Sequence, residues 1–586
     1  MKVLMTGNEA IARGAYEAGL RFGSAYPGTP STEIFETLSH LGEGYEVEWA
    51  SNEKVAVEAA YGASMAGVRS LAAMKHVGVN VAADPIFTAA YNGVNAGMVI
   101  VTADDPSMFS SQNEQDNRNY ARAAKLPMLE PSNSQEAKEF VRLAFDLSEQ
   151  FDTPVLLRVT TRICHSKSLV EVGERQEHEP KPYSRDGKKY IASPANAHRH
   201  HPEVEERLVK MAAYNEDLAI NQMEMGDGKL GVITSGISYQ YAKEAFPAGT
   251  SFLKLGMTWP LAQNLIRDFA TKVETLYIVE ELDPFLETEI RAMGIQCHGK
   301  DLIPRCYELN PAIIKEAVFN EKAATVDVGV GTVGRPPALC AGCPHRGFFY
   351  TLSRRKDAVI SGDIGCYTLG GSDPLNATDT VVCMGASLSA GHGFSKAFEL
   401  KGEGDEKVVF GVIGDSTFFH SGLTGAVEII YNQGKVIPCV LDNRITSMTG
   451  QQDNPGTGKN LMGQASPEIS VEKLLEAMGY EPVMVDPQDL KAMKETVDQA
   501  VADLKAGKHP AIVTKRPCVL IKGNGLKKGL CEVDRDSCIS CRSCLRVGCP
   551  AIFFKEGKSY IDPTLCIGCT VCLQVCPVKA IKKVGE

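Results

Sequence analysis

What this sequence lacks narrows the field first. No uninterrupted apolar run reaches the roughly 18 residues of a membrane helix, so no membrane span is expected. Positive charge is in deficit. The 61 Lys and Arg stand against 72 Asp and Glu, a net charge of -11, which gives no support for nucleic-acid binding. Signal-peptide character is missing too: Met1-Lys-Val-Leu-Met-Thr-Gly7 runs straight into a strand and a glycine turn, and a cytoplasmic protein is expected. In such a compartment thiols stay reduced, so the 18 cysteines point to metal rather than disulfides. Twelve of them fall at ligand-like positions, eight in the C-terminal tail and four further upstream.

At 586 residues the chain is too long for one core, and three to five domains are expected. Residues 1–165 alternate short apolar strands with helical patterns, the signature of a parallel sheet with helices on both faces. Asn8 to Phe22 reads as an amphipathic helix, and Ser31 and Thr32 as caps for the next one. Tyr45–Trp49, Leu71–Met74, Gly97–Thr102 and Pro154–Val159 read as strands. Residues 166–228 turn polar and read as a linker with one helix around Val204 to Asn215, the His198-Arg-His-His201 run being a solvated loop. A smaller α/β unit follows over 229–320, with strands at Leu230–Thr234 and Leu276–Val279. A Gly-Val alternation at 327 to 334 marks a joint, residues 335–522 form a third unit, and 525–586 a compact cysteine domain. The fold class is therefore α/β.

The richest stretch runs from Gly414 to Gln452. Lys407 to Ile413 is an apolar strand that ends at Gly414-Asp415-Ser416, and Ile437 to Leu441 is a second, ending at Asp442-Asn443. Two parallel strands joined by a helix place both ends on one rim, where open α/β sheets keep their ligands. That rim would carry the Asp415 carboxylate, the Asn443 amide oxygen and a main-chain carbonyl at Ile445. These are hard oxygen donors, too few for an all-protein cage. They suit Mg2+, which keeps waters and phosphate oxygens in its octahedron.

The tail reads Cys538-x2-Cys541-x2-Cys544-x4-Cys549-Pro550, then Cys566-x2-Cys569-x2-Cys572-x3-Cys576-Pro577. In this pattern three closely spaced thiolates wrap one iron–sulfur cube, and the distant fourth reaches the other. One [4Fe–4S] cluster is thus expected on Cys538, Cys541, Cys544 and Cys576, and a second on Cys566, Cys569, Cys572 and Cys549. Zinc sites rarely use such triplets followed by Cys-Pro.

The Gly-Asp-Ser to Asp-Asn spacing resembles the diphosphate motif of thiamine diphosphate enzymes, with Ser416 where glycine is usual. The resemblance implies Mg2+ on Asp415, Asn443 and Ile445. Tyr26-Pro-Gly-Thr29-Pro30, Cys340-Ala-Gly-Cys343-Pro-His-Arg and Gly362-Asp-Ile-Gly365-Cys366 resemble the 2-oxoacid:ferredoxin oxidoreductases. The implied order is a pyrimidine-binding domain, a transketolase-C-like domain, a diphosphate domain and a two-cluster ferredoxin-like domain. By the same resemblance Glu53 holds the cofactor's aminopyrimidine, with Glu58 as second choice, and Thr29 contacts the substrate carboxylate. Gly365 and Gly385 back the cofactor, and Lys75-His76-Val-Gly78 lies at another strand end. Cys340, Cys343, Cys366 and Cys518 would hold a third [4Fe–4S] cluster.

The domain order and wording resemble those of the alpha subunits of the indolepyruvate-oxidising branch. The resemblance then implies oxidative decarboxylation of an arylpyruvate with coenzyme A, giving the aryl-acetyl-CoA and CO2, with electrons passed to ferredoxin. It also implies a separate beta subunit, because no stretch here matches the further catalytic domain of single-chain relatives, and a higher oligomer of alpha-beta units. Met448 stands where pyruvate-oxidising relatives carry an amide, which suits an aryl side chain. Other 2-oxoacids, or an electron-transfer role without thiamine, are the alternatives. Cys164, Cys297, Cys306, Cys383, Cys439 and Cys531 read as core or incidental thiols.

Overall fold

The computed structural model describes residues 1–324, 326, 329–331, 334, 336–523 and 529–585. The chain divides into two compact units, Met1–Val330 and Gly331–Glu586. The Gly-Val joint read at 327 to 334 lies at this division, and residues 327, 328, 332 and 333 of it are outside the described residues.

The first unit is built on a seven-stranded sheet. Its central strands Val155–Thr160, Met98–Asp104, Ser70–Lys75, Phe22–Ala25 and Glu46–Trp49 lie side by side in that order and all run parallel. Met98–Asp104 and Val155–Thr160 are buried along their whole length, as a sheet covered on both faces requires. Strand Met257–Trp259, from the stretch read as a separate unit, closes one edge antiparallel to Met128–Leu129. A four-stranded sheet carries Thr275–Val279, Leu230–Ser235, Ser251–Leu255 and Gln222–Glu224.

Several local elements depart from the sequence pattern. The first helix is Gly7–Glu17 and stops well before Phe22, because Gly19 takes φ +74 and Phe22–Ala25 becomes a sheet strand. Ser31 sits at the N-cap of helix Thr32–Leu38, but its hydroxyl donates to the Gly28 carbonyl and caps nothing. The polar stretch after 166 begins with strand Lys167–Glu171, paired antiparallel with Lys2–Thr6. Its helix starts at Pro194, capped by Ser193, and runs to Asn215. The histidine run is therefore helical: His200 is buried and His201 stacks on Tyr91.

The second unit holds a six-stranded, all-parallel sheet in the order Thr380–Val381, Ala358–Gly362, Val408–Gly414, Val436–Asp442, Pro510–Lys515, Glu481–Val485. The cysteine tail adds two small antiparallel pairs, Cys531–Val533 with Ile581–Lys583 and Ile552–Lys555 with Lys558–Ile561. It packs on the same unit: Val547 and Val571 belong to the core that holds Phe348, Phe410 and Ile437.

Candidate functional site

Strands Val408–Gly414 and Val436–Asp442 are fully buried neighbours, with Gly414 opposite Leu441. Asp415 and Asp442 therefore leave the sheet side by side. Burial pushes the Asp415 carboxyl up to about 7, and the Asp442 carboxylate adds to the rise. Asp442 is raised as well, again by burial. Asn454 Nδ2 donates to Asp415 at 3.0 Å, and no Lys or Arg forms an ion pair with Asp415 among the described residues. Lys515 approaches Asp442 at 3.8 Å but pairs more closely with Glu472, at 2.9 Å. Two carboxylates held together away from water, short of positive charge, fit a divalent cation.

The buried Asn443 amide faces that rim. Its Oδ1 accepts from the Ile445 N–H at 3.2 Å, and its Nδ2 lies 3.1 Å from Ser447 Oγ and 3.3 Å from His345 Nε2. His345 is buried beside it, and burial lowers its pKa to about 4, so the imidazole is neutral at pH 7. Thr446 donates to the Ser416 hydroxyl at 2.8 Å, tying the two strand ends together. The helix after Asp415 contains a π-turn over Phe418–Gly422, a distortion frequent at functional sites.

Asp363, at the end of strand Ala358–Gly362, is buried with its pKa pushed up to about 6. Its two oxygens accept from the Gly385 and Ser387 N–H groups, each at 2.9 Å. Gly385 takes φ +86, and a Cβ there would press on Ser421 Cβ at 2.5 Å. This turn opens helix Ala386–Lys401 close to the rim. At Gly365 a Cβ would meet the Tyr367 ring, whose hydroxyl bonds Thr417 at 2.8 Å.

The thiols of the second unit act on one another in three groups. Cys541 and Cys576 influence Cys544, and Cys541 also acts on Cys538. Cys549 and Cys566 act on Cys569, and Cys549 and Cys569 on Cys572. Cys340 and Cys366 act on Cys343, and Cys518 on Cys366. Burial raises Cys366 to about 11 and Cys343 to about 12, values that bound iron would reverse by taking the thiolate. Among the described residues no three of His, Cys, Asp and Glu converge as the ligands of one metal ion. A cube draws each of its thiolates to a different iron, and a Mg2+ site of one carboxylate, one amide and one carbonyl has a single member of those residue types.

Cys531 and Arg346 join the site although the sequence reading gave neither a role there. Cys531, read as an incidental thiol, has its N–H 3.4 Å from Cys566 Sγ and its side chain against Cys572. Arg346 is buried and its guanidinium donates to the carbonyls of Leu339 (2.7 Å), Cys340 (2.8 Å), Val547 (3.1 Å) and Gly548. It thus clamps the Cys340 loop to the tail segment before Cys549. Gly342 lies so close to Ile567 that a Cβ would collide with it. The sequence signal for His345 and Arg346 was present, since both follow Cys343-Pro344 directly. Nothing local marks Asn454, which lies 39 positions from its partner Asp415.

The residues expected to face a pyrimidine lie in the first unit, on the carboxyl rim of its parallel sheet. Glu53 opens helix Glu53–Met65 after strand Glu46–Trp49 and is 4% exposed, while Asn52 caps that helix through the Val55 N–H. Gly78 makes room for it: a Cβ at that position would meet Glu53 Cγ at 2.6 Å. Glu58, by contrast, points outward and pairs with Lys54. Lys75 ends strand Ser70–Lys75, which Phe22–Ala25 separates from Glu46–Trp49, and burial lowers it to about 8. Its side chain runs past Gly28, and its ammonium donates to the Ser110 carbonyl at 2.8 Å. Thr29 lies on the adjoining loop, its carbonyl accepting from Ser110 Oγ at 3.4 Å. His76 is buried against the Asn113 carbonyl, 3.1 Å away, with its pKa lowered to about 4. The Glu53 and Asp415 rims belong to different compact units.

Comparison with known proteins adds three family matches. "Pyruvate flavodoxin/ferredoxin oxidoreductase, thiamine diP-bdg" matches residues 13–224. "Thiamine pyrophosphate enzyme, C-terminal TPP binding domain" matches 363–514, and "4Fe-4S binding domain" matches 559–582. The "Indolepyruvate oxidoreductase subunit IorA" of Methanothermobacter thermautotrophicus is 41% identical over 615 residues, covering 100% of this chain and 98% of that protein. The protein of the same description from Archaeoglobus fulgidus is 40% identical, covering 99% of this chain and 97% of its own length. A "2-oxoglutarate synthase subunit KorA" of Methanothermobacter marburgensis is 31% identical over only 29% of this chain and 48% of its own. Among solved structures, a 2-oxoglutarate:ferredoxin oxidoreductase from Magnetococcus marinus aligns over 54% of this chain and 65% of that one, at 18% identity and a TM-score of 0.46.

Proposed function

This chain belongs to the family of the indolepyruvate oxidoreductase IorA subunits, and on that premise we propose that it carries the thiamine and iron–sulfur centres of an arylpyruvate oxidoreductase. The reaction is oxidative decarboxylation of indolepyruvate with coenzyme A to the aryl-acetyl-CoA and CO2, the electrons leaving through [4Fe–4S] clusters to ferredoxin. The observation that carries the reading is the Asp415–Asp442 pair. Two adjoining buried carboxylates, of which Asp415 has no ion pair among the described residues and Asp442 only the distant Lys515 at 3.8 Å, suit a Mg2+ that brings a diphosphate with it.

Asp415, the Asn443 amide oxygen and the Ile445 carbonyl would hold that ion, with Ser416 beside them. Asp363 fixes the Gly385 turn that would back the cofactor. When bound, thiamine diphosphate supplies the nucleophilic carbon that lets a 2-oxoacid lose CO2 and give up two electrons. Glu53, buried at a helix start, would bond the pyrimidine nitrogen and exchange a proton there. Thr29 would orient the substrate carboxylate.

The three thiol groups support two cubes in the tail and a third on Cys340, Cys343, Cys366 and Cys518. Arg346 keeps the third group fixed against the tail. The relatives are named as subunits, and a smaller beta subunit would complete the enzyme, in an oligomer of alpha-beta units.

The test is the anaerobically purified complex of this chain with its partner subunit. Bound thiamine, iron for three cubes and indolepyruvate- and CoA-dependent dye reduction are expected, with Cys366→Ser losing one cube's iron. Faster turnover of pyruvate than of any arylpyruvate would overturn the substrate assignment.

A further inference from the structure

The second unit carries a groove of about 1070 Å³ between helix Leu490–Lys505, the turn after helix His345–Leu352 and the cysteine tail. Its tail wall is made by Ser543 and Arg546, which flank Cys544, and by Val575 and Pro577, which flank Cys576. Both cysteines belong to the first tail group, and Arg546 acts electrostatically on Cys541 of the same group.

The groove is basic in a chain of net charge -11. Arg354, Arg355, Lys356, Lys491, Lys494 and Arg546 line it, against the carboxylates Asp357 and Asp498. Those two carboxylates are already engaged: Arg355 pairs with both, at 2.8 and 2.6 Å, and Lys494 with Asp498 at 2.6 Å. Arg354, Lys356 and Arg546 make no ion pair among the described residues and are exposed. Arg354 lies 4.3 Å over the Tyr350 ring, which presents its charge outward on an aromatic base.

We propose that this groove is the docking surface for the electron acceptor, a small acidic one-electron carrier protein of the ferredoxin kind. The inference rests on the proposed function, which supplies the electrons. Unpaired cations beside the ligands of a tail cube attract a carboxylate-bearing partner and orient it there, raising the encounter rate. Tyr350, Leu490, Val497 and Val575 give the groove an apolar lining for close contact.

The test uses the full complex with its partner subunit and the double variant Arg354→Glu/Lys356→Glu, neither residue being part of the catalytic machinery. Turnover of indolepyruvate with CoA is followed with ferredoxin and with a cationic viologen dye, at low and high salt. The expected result is a rise of about tenfold in the KM for ferredoxin at low salt and a flattened salt dependence, with the viologen rate unchanged. A ferredoxin KM within twofold of the parent, with the dye rate intact, overturns the proposal. So does a rise in the KM for CoA in its place, which would give the groove to a phosphorylated small molecule. Should the double variant lose dye reduction as well, Lys356→Glu alone, at an exposed position, decides by the same readout. The parent's dye reduction is measured first, since its absence contradicts the proposed function and not this surface.

Discussion

Both compact units bury several carboxylates, but they balance them differently. In the first unit Arg118 joins Asp116 and Glu280, each at 2.5 Å, and Arg158 joins Asp104 at 2.7 Å and Glu130 at 2.8 Å. The chain supplies its own positive charge there, and the network ties the large sheet to the segment at 280. In the second unit Asp415 and Asp442 adjoin with no guanidinium paired to either: Arg444 acts on both from a distance while it pairs with Glu468 at 2.6 Å, and Lys515 stands 3.8 Å from Asp442. Buried acids with arginines hold a fold together. Two adjoining buried acids without one suit an ion from outside the chain.

The sharpest way to break that contrast is to remove the charge on each side. Asp415→Asn should cut indolepyruvate turnover by about 10³-fold or more through loss of Mg2+ and cofactor. The cofactor-free chain should melt no lower than the parent, because a destabilised buried charge has gone. Arg158→Met should do the opposite, lowering stability by about 3–5 kcal/mol by leaving Asp104 and Glu130 unpaired. Denaturant melts of the two variants give the comparison directly. Equal destabilisation by both would erase the distinction.

Within the second unit, Arg346→Met tests the clamp between the Cys340 loop and the tail. Four carbonyls lose a charged donor, at a cost of about 3 kcal/mol in unfolding free energy. Ferredoxin reduction should fall while thiamine content stays at the parent level. An unchanged melt and an unchanged ferredoxin rate would make the clamp dispensable.

The smallest effect concerns the acid side of the first unit's network. Burial pushes Glu281 up to about 7 from an ordinary 4.5, although it accepts the Leu309 N–H at 3.0 Å. Below about 4.5 the folded and unfolded chains both hold this proton. Between there and about 7 only the folded chain does, so its contribution to stability falls as pH rises, then stays level. Glu281→Gln keeps the acceptor and removes the titration. The variant should match the parent near pH 4 and exceed it near pH 8; parallel pH–stability curves would contradict the assignment.

How much of this was readable from the residues depends on range. The strands ending at Asp415 and Asp442 were legible because each is a short apolar run closed by a polar pair. The two tail cysteine groups were readable from their spacing, whereas Cys340, Cys343, Cys366 and Cys518 are too scattered along the chain for spacing to group them and came only with the family resemblance. Strand Phe22–Ala25 was not, since Phe-Gly-Ser-Ala has no β-branched residue and the helical pattern before it runs on. The histidine run looked solvated because its charges mask a helix whose inner face is His200, Val204 and Met211. Arg118 and Arg158 meet carboxylates as far as 162 residues away, and no local pattern announces such a pairing. Cys531 lacked a spacing that would set it beside Cys566 and Cys572.

The most direct measurement is a single turnover followed by EPR of the anaerobic complex, parent against Asp415→Asn. Indolepyruvate with CoA should reduce the clusters of the parent and leave those of the variant oxidised, while dithionite reduces both. Substrate-driven reduction of the variant's clusters at the parent's rate would contradict the claim that the buried Asp415 carboxylate anchors the cofactor.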